Sequence, residues 1–252
     1  MLHLHRFGDD NGRPLIALHG LTGHGGRWRS LAGHLPGHQI IAPDLRGHGH
    51  STTHAPWTFE QHAEDVVDVL DHLGLTRATV VGHSLGATVA VHLARRHPGR
   101  IERLVLLDPG MALPPALAEE RAGDALTPPV FDNPADAAGE RARTWPAEAA
   151  TLVDDEIRDH LRQGADGRWH WRYSPPMVVA TYSELARPAV TPPAGTRTTL
   201  VVALRSQAVP AGYAELCRET LHDDFTLAEL DCGHQVHLER PTRTAALISG
   251  TA

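Results

Sequence analysis

The sequence predicts an α/β fold with a mostly parallel central sheet of about seven strands flanked by helices. Short runs rich in Val, Ile and Leu alternate with helical patterns in residues 1–107 and again in 198–250. Such alternation is typical of buried parallel strands that are joined by crossover helices. The predicted strands are residues 2–7, 14–19, 39–43, 78–82, 103–107, 198–204 and 225–230.

Helical patterns separate these strands. In residues 59–73, four aliphatic side chains recur with the spacing of one face of an amphipathic helix: Val66, Val67, Leu70 and Leu73. Residues 85–97 are rich in alanine and end before a proline, which cannot continue a helix. Further helices are predicted at 26–34, 211–221 and 240–250.

Residues 111–196 interrupt the alternation. This stretch contains Pro-Pro pairs and too few large aliphatic residues for a core of its own. We therefore predict a mainly helical insertion in one core domain that is formed by residues 1–110 and 197–252. The helical stretches within the insertion are predicted near 134–145, 147–163 and 176–187.

The composition and the net charge exclude some classes of function for this protein. The chain has 252 residues and a formal net charge of −7, which argues against nucleic acid as a partner because phosphate binding needs a basic face. Its apolar runs are far shorter than the roughly 20 residues that cross a bilayer, and its first residues lack the features of a signal peptide. We expect a cytoplasmic monomer or homodimer that acts on a small molecule, without a membrane partner.

The basic residues and histidines bear on cofactors. All 23 basic residues are arginines, which excludes Schiff-base, pyridoxal phosphate and Walker-type phosphate chemistry, since each needs a lysine. The 19 histidines include neighbours that could bind zinc if they converged, but these lack carboxylate or thiolate partners at ligand spacing. Compositional bias accounts for them, so no metal and no cofactor is predicted. The neighbours concerned are His3, His5, His48, His50 and His54.

The segment "GHSLG" at residues 82–86 predicts a catalytic nucleophile at Ser84. It matches G-x-S-x-G, and it lies between a predicted strand and a predicted helix. A nucleophile at such a turn adopts a strained conformation, and small residues two positions away let the backbones cross closely. A plain tight turn would explain one glycine but not the symmetric pair, Gly82 and Gly86.

The segment "HGLTG" at residues 19–23 predicts part of an oxyanion hole. It follows a predicted strand at the same edge of the sheet as Ser84. An oxyanion formed there needs two donors, which we assign to the backbone N–H groups of Leu21 and Leu85. A helix-entry loop with convenient glycines is the alternative.

The segment "DCGHQVHLERP" at residues 231–241 offers two histidines as the general base. His234 directly follows Gly233 just after the last predicted strand, which places it at the edge where Ser84 emerges. His237 leads into a proline-initiated helix, where a packing role fits better. We therefore predict His234 as the base.

These motifs together resemble the serine-type α/β-hydrolase fold superfamily. "HGLTG", "DLRGHGHS" at 44–51, "GHSLG" and "DCGHQVHLERP" occur in that family's order, and the resemblance covers nearly all of the chain outside residues 111–196. It implies an α/β-hydrolase fold in which the insertion is a helical cap. It also implies cofactor-free hydrolysis through an acyl-enzyme, with a triad of chain order Ser, acid, His.

The acid of this triad departs from the common pattern. Relatives usually carry it after the strand that corresponds to residues 198–204, but here Ser206 lies near that position and no carboxylate is available. Asp108 ends the strand that follows the nucleophile's helix, and neighbouring parallel strands end about 4.8 Å apart at one edge. We predict Asp108 as the acid, although Asp-Pro is also common in turns. Asp231 is the weaker alternative.

The insertion is expected to set the substrate. Its apolar residues Trp169, Trp171, Tyr173 and Met177 are predicted to contact substrate, or else to pack the cap onto the core. The resulting hypothesis is a serine esterase that cleaves a small, largely apolar carboxylic ester. The same groups could serve a thioester, a lactone, a C–C bond beside a carbonyl, or cofactor-free perhydrolysis. A receptor that binds a ligand on a hydrolase scaffold is the non-enzyme alternative.

Overall fold

The computed structural model describes residues 1–251, which contain ten strands. Seven form the central sheet: β1 (Leu4–Gly8), β2 (Arg13–Leu18), β3 (His38–Pro43), β4 (Ala78–His83), β5 (Ile101–Leu107), β9 (Thr198–Ala203) and β10 (Phe225–Leu230). Three short strands lie between β5 and β9: β6 (Val130–Phe131), β7 (Leu161–Gln163) and β8 (Trp169–Trp171).

The central sheet has the order β1-β3-β2-β4-β5-β9-β10. Strand β1 pairs antiparallel with β3, and every other neighbouring pair is parallel. The prediction of a mostly parallel sheet of seven strands is confirmed. The parallel strands all end at one edge, which is where ligands bind in open α/β sheets.

Nine α-helices accompany the strands in the described residues. They are α1 (Phe59–His72), α2 (Leu85–Arg96), α3 (Pro115–Asp124), α4 (Pro134–Thr144), α5 (Val153–His160), α6 (Pro175–Leu185), α7 (Tyr213–Leu221), α8 (Val236–Glu239) and α9 (Pro241–Ser249). The predicted helix at 26–34 is a 3₁₀ helix, Gly25–His34. The predicted helix at 240–250 is α9, and the short α8 precedes it across Arg240.

Side chains on alternate positions of the strands build two apolar layers, one on each face of the sheet. One layer contains Ile16, Leu18, Val80, Leu104, Leu106 and Leu200 and packs with residues of α1, α2 and α7. The other contains Leu15, Ala17, Val81, Val105, Leu107 and Val201 and packs with the 3₁₀ helix and α9. Burial of both faces explains why these strands are near-continuous apolar runs.

The segment between β5 and β9, called the insert below, differs in part from the mainly helical prediction. It contains α3 to α6, but also an antiparallel sheet of order β6-β8-β7. The predicted helix at 147–163 divides into a 3₁₀ turn, α5 and β7, and α3 was not predicted. The boundaries 1–110, 111–196 and 197–252 stay a prediction.

The insert also has a small apolar cluster of its own, contrary to the expectation from its few aliphatic residues. Phe131, Ala137, Leu161 and Trp171 are buried together, with Trp169 and Tyr173 against them. Aromatic side chains bury more area each than aliphatic ones, so a few of them form a cluster. None of the described helices is long and apolar enough to span a membrane.

Candidate active site

Ser84 lies at the sharp turn between β4 and α2. Its backbone has φ 52° and ψ −117°, a conformation that is strained for a residue with a side chain. A Cβ on Gly82 would lie 2.4 Å from the carbonyl oxygen of Gly86, and one on Gly86 would lie 2.3 Å from that of Leu18. Both glycines are therefore required by close backbone crossings, as expected for a nucleophile elbow.

The structure brings Asp108 and His234 together. Asp108 follows β5 and is buried, and its Oδ2 lies 2.5 Å from Nδ1 of His234. Its Oδ1 accepts a hydrogen bond of 3.1 Å from the backbone N–H of Ala203 in the neighbouring strand β9. The carboxylate is thus fixed from two sides, and it orients the ring of His234 with Nε2 left available for other partners.

The alternatives for acid and base lie elsewhere. The side chain of Asp231 is 83% exposed and pairs with Arg205 at 3.2 Å. His237 is buried, its ring stacks on Trp28 with centroids 4.7 Å apart, and burial lowers its pKa to about 3. The hydroxyl of Ser206 accepts a hydrogen bond from the backbone of Ala208.

His83 was not assigned a role from the sequence. Its Nε2–H donates a hydrogen bond of 2.7 Å to the carbonyl oxygen of His234, and the two rings lie 4.8 Å apart. Burial, followed by the charges of His234 and His237, holds the pKa of His83 well below its ordinary value. His83 therefore supports the loop of His234 as a neutral donor. Its place directly before Ser84 was the signal available in the sequence.

The loop of Leu21 passes close over Ser84. A Cβ on Gly20 would lie 3.2 Å from Cβ of Ser84, and both Leu21 and Ser84 line one cavity. Leu85 is the first residue of α2, so its N–H belongs to the end of the helix that carries partial positive charge. The predicted oxyanion donors thus come from two elements that meet at Ser84.

Buried histidines fix this loop. His19 donates from Nδ1 to the carbonyl of Gly20 at 2.8 Å and accepts from Leu45 N–H at Nε2, 2.9 Å. Burial lowers the pKa of His19 to about 3, which keeps Nε2 free to accept. At Thr22, the N–H donates to His48 at 3.2 Å and the carbonyl accepts from His160 at 3.0 Å.

A buried carboxylate ties the same loop to the insert. Glu156 of α5 accepts hydrogen bonds of 2.6 and 3.1 Å from Arg27 and one of 2.8 Å from His24, and it pairs with Arg141 at 3.2 Å. Burial alone would raise its pKa, but Arg27 and His24 hold that pKa well below its ordinary value. Glu156 therefore stays ionised and links the insert to the residues that follow the loop of Leu21.

Ser84 and His234 open into one cavity of about 460 Å³. This volume lies within the usual range for sites that bind small molecules. Its apolar wall comes from the loop after β2 and from α3, α6 and the segment before α3: Leu21, Leu113, Leu117, Tyr182 and Leu185. Its polar side chains other than Ser84 and the histidines are Arg27, Arg121, Gln207 and Gln235.

The four insert residues predicted to contact substrate do not line this cavity. Trp169, Trp171 and Tyr173 pack in the insert's own cluster, and the guanidinium of Arg141 lies 4.1 Å from the ring of Trp171. Met177 is fully buried beside Gly47. Side chains at alternate positions of a strand lie on the same face, and in the short strand β8 that face packs within the insert. The cavity wall comes instead from α3 and the later part of α6.

The fold has counterparts among known proteins. A family model described as the alpha/beta hydrolase fold matches residues 13–241. Lipase LipV of Mycobacterium tuberculosis is 41% identical, with 98% of this chain and 96% of that protein covered. Esterase YbfF of Escherichia coli is 26% identical, with 92% and 89% covered. The crystal structure of E-2-(acetamidomethylene)succinate hydrolase matches with a TM-score of 0.84 at 20% identity, over 99% of this chain and 94% of that one. The chain therefore belongs to the α/β-hydrolase fold family.

Proposed function

We propose that this chain is a serine esterase that hydrolyses small, largely apolar carboxylic esters with the triad Ser84, His234 and Asp108. The proposal rests on one observation: a histidine held at 2.5 Å by a buried carboxylate opens into the same cavity as a serine at a nucleophile elbow. The names of the lipase and esterase relatives support ester hydrolysis as the reaction class.

In the proposed reaction, the base first activates the nucleophile. Nε2 of His234 takes the proton of the Ser84 hydroxyl while Oγ bonds to the ester carbonyl carbon, and negative charge moves to the carbonyl oxygen. The N–H groups of Leu21 and Leu85 stabilise that oxyanion. Asp108 stabilises the positive imidazolium without taking up the proton itself.

The intermediate then collapses. The C–O bond to the alcohol breaks, and His234 gives its proton to the departing oxygen, which leaves an acyl group on Ser84. Water enters, loses a proton to His234 and attacks the acyl carbon through a second oxyanion. The bond to Oγ breaks, Ser84 regains the proton, and the carboxylic acid is released. No cofactor takes part in this cycle.

Because the cavity wall is apolar, it favours an ester whose acyl or alcohol group is apolar. We expect Leu117→Trp to lower kcat/KM for an octanoyl aryl ester at least 10-fold more than for the acetyl ester, since the larger ring would occupy the cavity beside Ser84. Initial rates over a series of acyl lengths measure this.

Leu126→Trp is the matched control, because Leu126 is 70% exposed and does not line the cavity. An unchanged length preference in Leu117→Trp, with the control also unchanged, would remove α3 from the substrate site. The same series extended to thioesters and lactones separates the ester proposal from those alternatives, which the triad alone does not distinguish.

A fluorophosphonate probe tests the nucleophile and the receptor alternative together. We expect labelling of the folded protein at one site, with the added mass on the peptide that contains Ser84, and no labelling of Ser84→Ala. The Ser206→Ala variant is the control and should label like the original chain. Failure of the original chain to label, with its circular dichroism spectrum intact, would favour a ligand-binding receptor over an enzyme.

A further inference from the structure

Three imidazoles and a carboxylate meet at the edge of the sheet where β1 begins and β3 ends. Asp44 directly follows β3, and its N–H donates to the carbonyl of His3 at 2.9 Å. Three possible ligand atoms, one from each of His3, His5 and Asp44, lie within 4.8 Å of one another. The ring of His50 lies 5.0 Å from that of His3. None of these side chains lines the catalytic cavity.

We propose that His3, His5 and Asp44 form a binding site for a zinc-type divalent metal ion, with His50 or water as the fourth ligand. Imidazole nitrogen together with carboxylate oxygen is a donor set that suits Zn²⁺, whereas Ca²⁺ and Mg²⁺ prefer oxygen alone. The site changes the conclusion drawn from sequence spacing. His3 and His5 have no carboxylate close to them in the sequence, but Asp44, 39 positions after His5, lies beside them in the structure.

The pair His5 and Asp44 already has nearly the separation that a metal needs. Nε2 of His5 lies 3.0 Å from Oδ1 of Asp44, with a proton between them. Two ligand atoms bound tetrahedrally to zinc at about 2.0–2.2 Å lie about 3.3–3.5 Å apart. Replacing that shared proton by an ion therefore requires a movement of a few tenths of an ångström, while the proton shifts to Nδ1 or to solvent.

The carboxylate is held in place by backbone donors. Asp44 is fully buried, and it accepts hydrogen bonds from the N–H groups of Gly25 at 2.8 Å and His50 at 2.9 Å. Such outer contacts fix a ligand before the metal arrives. Burial alone would raise the pKa of Asp44, but the hydrogen bond and charge of His5 hold it below its ordinary value, so the carboxylate is ionised.

The remaining histidines are free to complete the site. The rings of His3 and His5 are in edge contact, with centroids 4.8 Å apart. His3 and His50 are exposed, so their rings can rotate toward an ion without disturbing the core. His48 and His54 do not join them: His48 is buried against His19, with ring centroids 4.8 Å apart, and His54 is exposed outside the cluster.

Calorimetric titration with ZnCl₂ tests the proposal on the full chain after treatment with a chelator. We expect one saturable site with micromolar or tighter affinity, and at least 100-fold weaker binding in His3→Ala. His3 is the primary variant because it is exposed, so its loss should leave the fold intact; His5→Gln is the second variant. The matched control is His54→Ala, which should bind like the original chain.

A second measurement separates this site from the catalytic histidine. The tight site must persist in His234→Ala, and Co²⁺ in place of Zn²⁺ should give the visible absorption of a four-coordinate ion that His3→Ala lacks. Equal zinc affinity in the original chain and His3→Ala, or no saturable binding below 1 mM, would overturn the site. Neither outcome bears on ester hydrolysis.

Discussion

Asp108→Asn is expected to lower kcat for an aryl ester by about 10⁴, the loss typical when the triad carboxylate is replaced by its amide. The amide keeps the shape of the side chain but places either an N–H or a neutral oxygen against Nδ1 of His234. The ring can then adopt the tautomer in which Nε2 carries the proton and cannot accept one from Ser84. The negative charge that stabilises the imidazolium is also lost.

Steady-state kinetics and fluorophosphonate labelling measure this prediction. Asp231→Asn is the control: its side chain is 83% exposed and pairs with Arg205, so kcat should change less than about 3-fold. Labelling of Ser84 should be slow in Asp108→Asn and normal in Asp231→Asn. A large loss in the second variant and none in the first would assign the acid to Asp231 instead.

Acidification to pH 5.5 is expected to remove a large part of the folding stability. Six buried histidines have pKa values that are lowered chiefly by burial, to about 3 for His19 and His237 and to about 4 for His62. The other three are held well below the ordinary value: His48, His83 and His160. In the unfolded chain each would have a pKa of about 6.5.

The direction of the change in stability with pH follows from proton binding. Below about pH 6.5 the unfolded chain binds protons that the folded chain excludes, so these histidines leave the free energy of unfolding unchanged above that pH and lower it as pH decreases toward their folded-state pKa values. The three histidines with a folded-state pKa of about 3 or 4 each remove about 1.4 kcal/mol at pH 5.5, or about 4 kcal/mol together, and His48, His83 and His160 act in the same direction. A domain is typically stable by about 5–15 kcal/mol. Glu156 and Asp44 stay ionised in this range because their pKa values are lowered, so the histidines dominate.

Urea unfolding at pH 7.5 and pH 5.5 checks the result, with a lower urea midpoint expected at pH 5.5. His62 offers a matched test, because its two ring nitrogens are buried without hydrogen-bond partners. His62→Leu should lose about 1.4 kcal/mol less than the original chain between the two pH values. The exposed His54→Leu should lose as much as the original chain. Equal urea midpoints at both pH values would contradict the prediction.

The sequence predicted the sheet well because its inner strands β2, β4, β5 and β9 are largely buried on both faces. An apolar run such as residues 103–107 is stabilised by burial in the sheet, and Asp108, which contacts His234, directly follows it. In the insert, α3 was missed because only one of its residues, Ala118, is buried, which leaves little apolar periodicity to detect.

The features that the sequence did not predict depend on contacts between segments that are distant along the chain. The pairing of Arg27 with Glu156 joins residues 129 positions apart, and His5 with Asp44 joins residues 39 apart, so neither has a local signal. The cavity wall depends on how α3 and α6 lie over Ser84, and that placement is decided by packing within the insert. The catalytic roles of Ser84, His234 and Asp108 stay predictions until the variants are measured.

The chain enters the insert from β5 and returns to the sheet at β9, which is the neighbour of β5. Leu104 to Leu107 of β5 are registered with Thr198 to Val201 of β9, so the core hydrogen bonds close directly across the two ends of the insert. The closure entropy of such a connection grows only slowly with its length. A shorter, longer or unrelated segment could thus be exchanged there while the sheet, the elbow and Asp108 keep their positions. The central sheet therefore does not depend on the length of the insert, whereas the loop after β2 does depend on the insert through its contacts with Glu156 and His160.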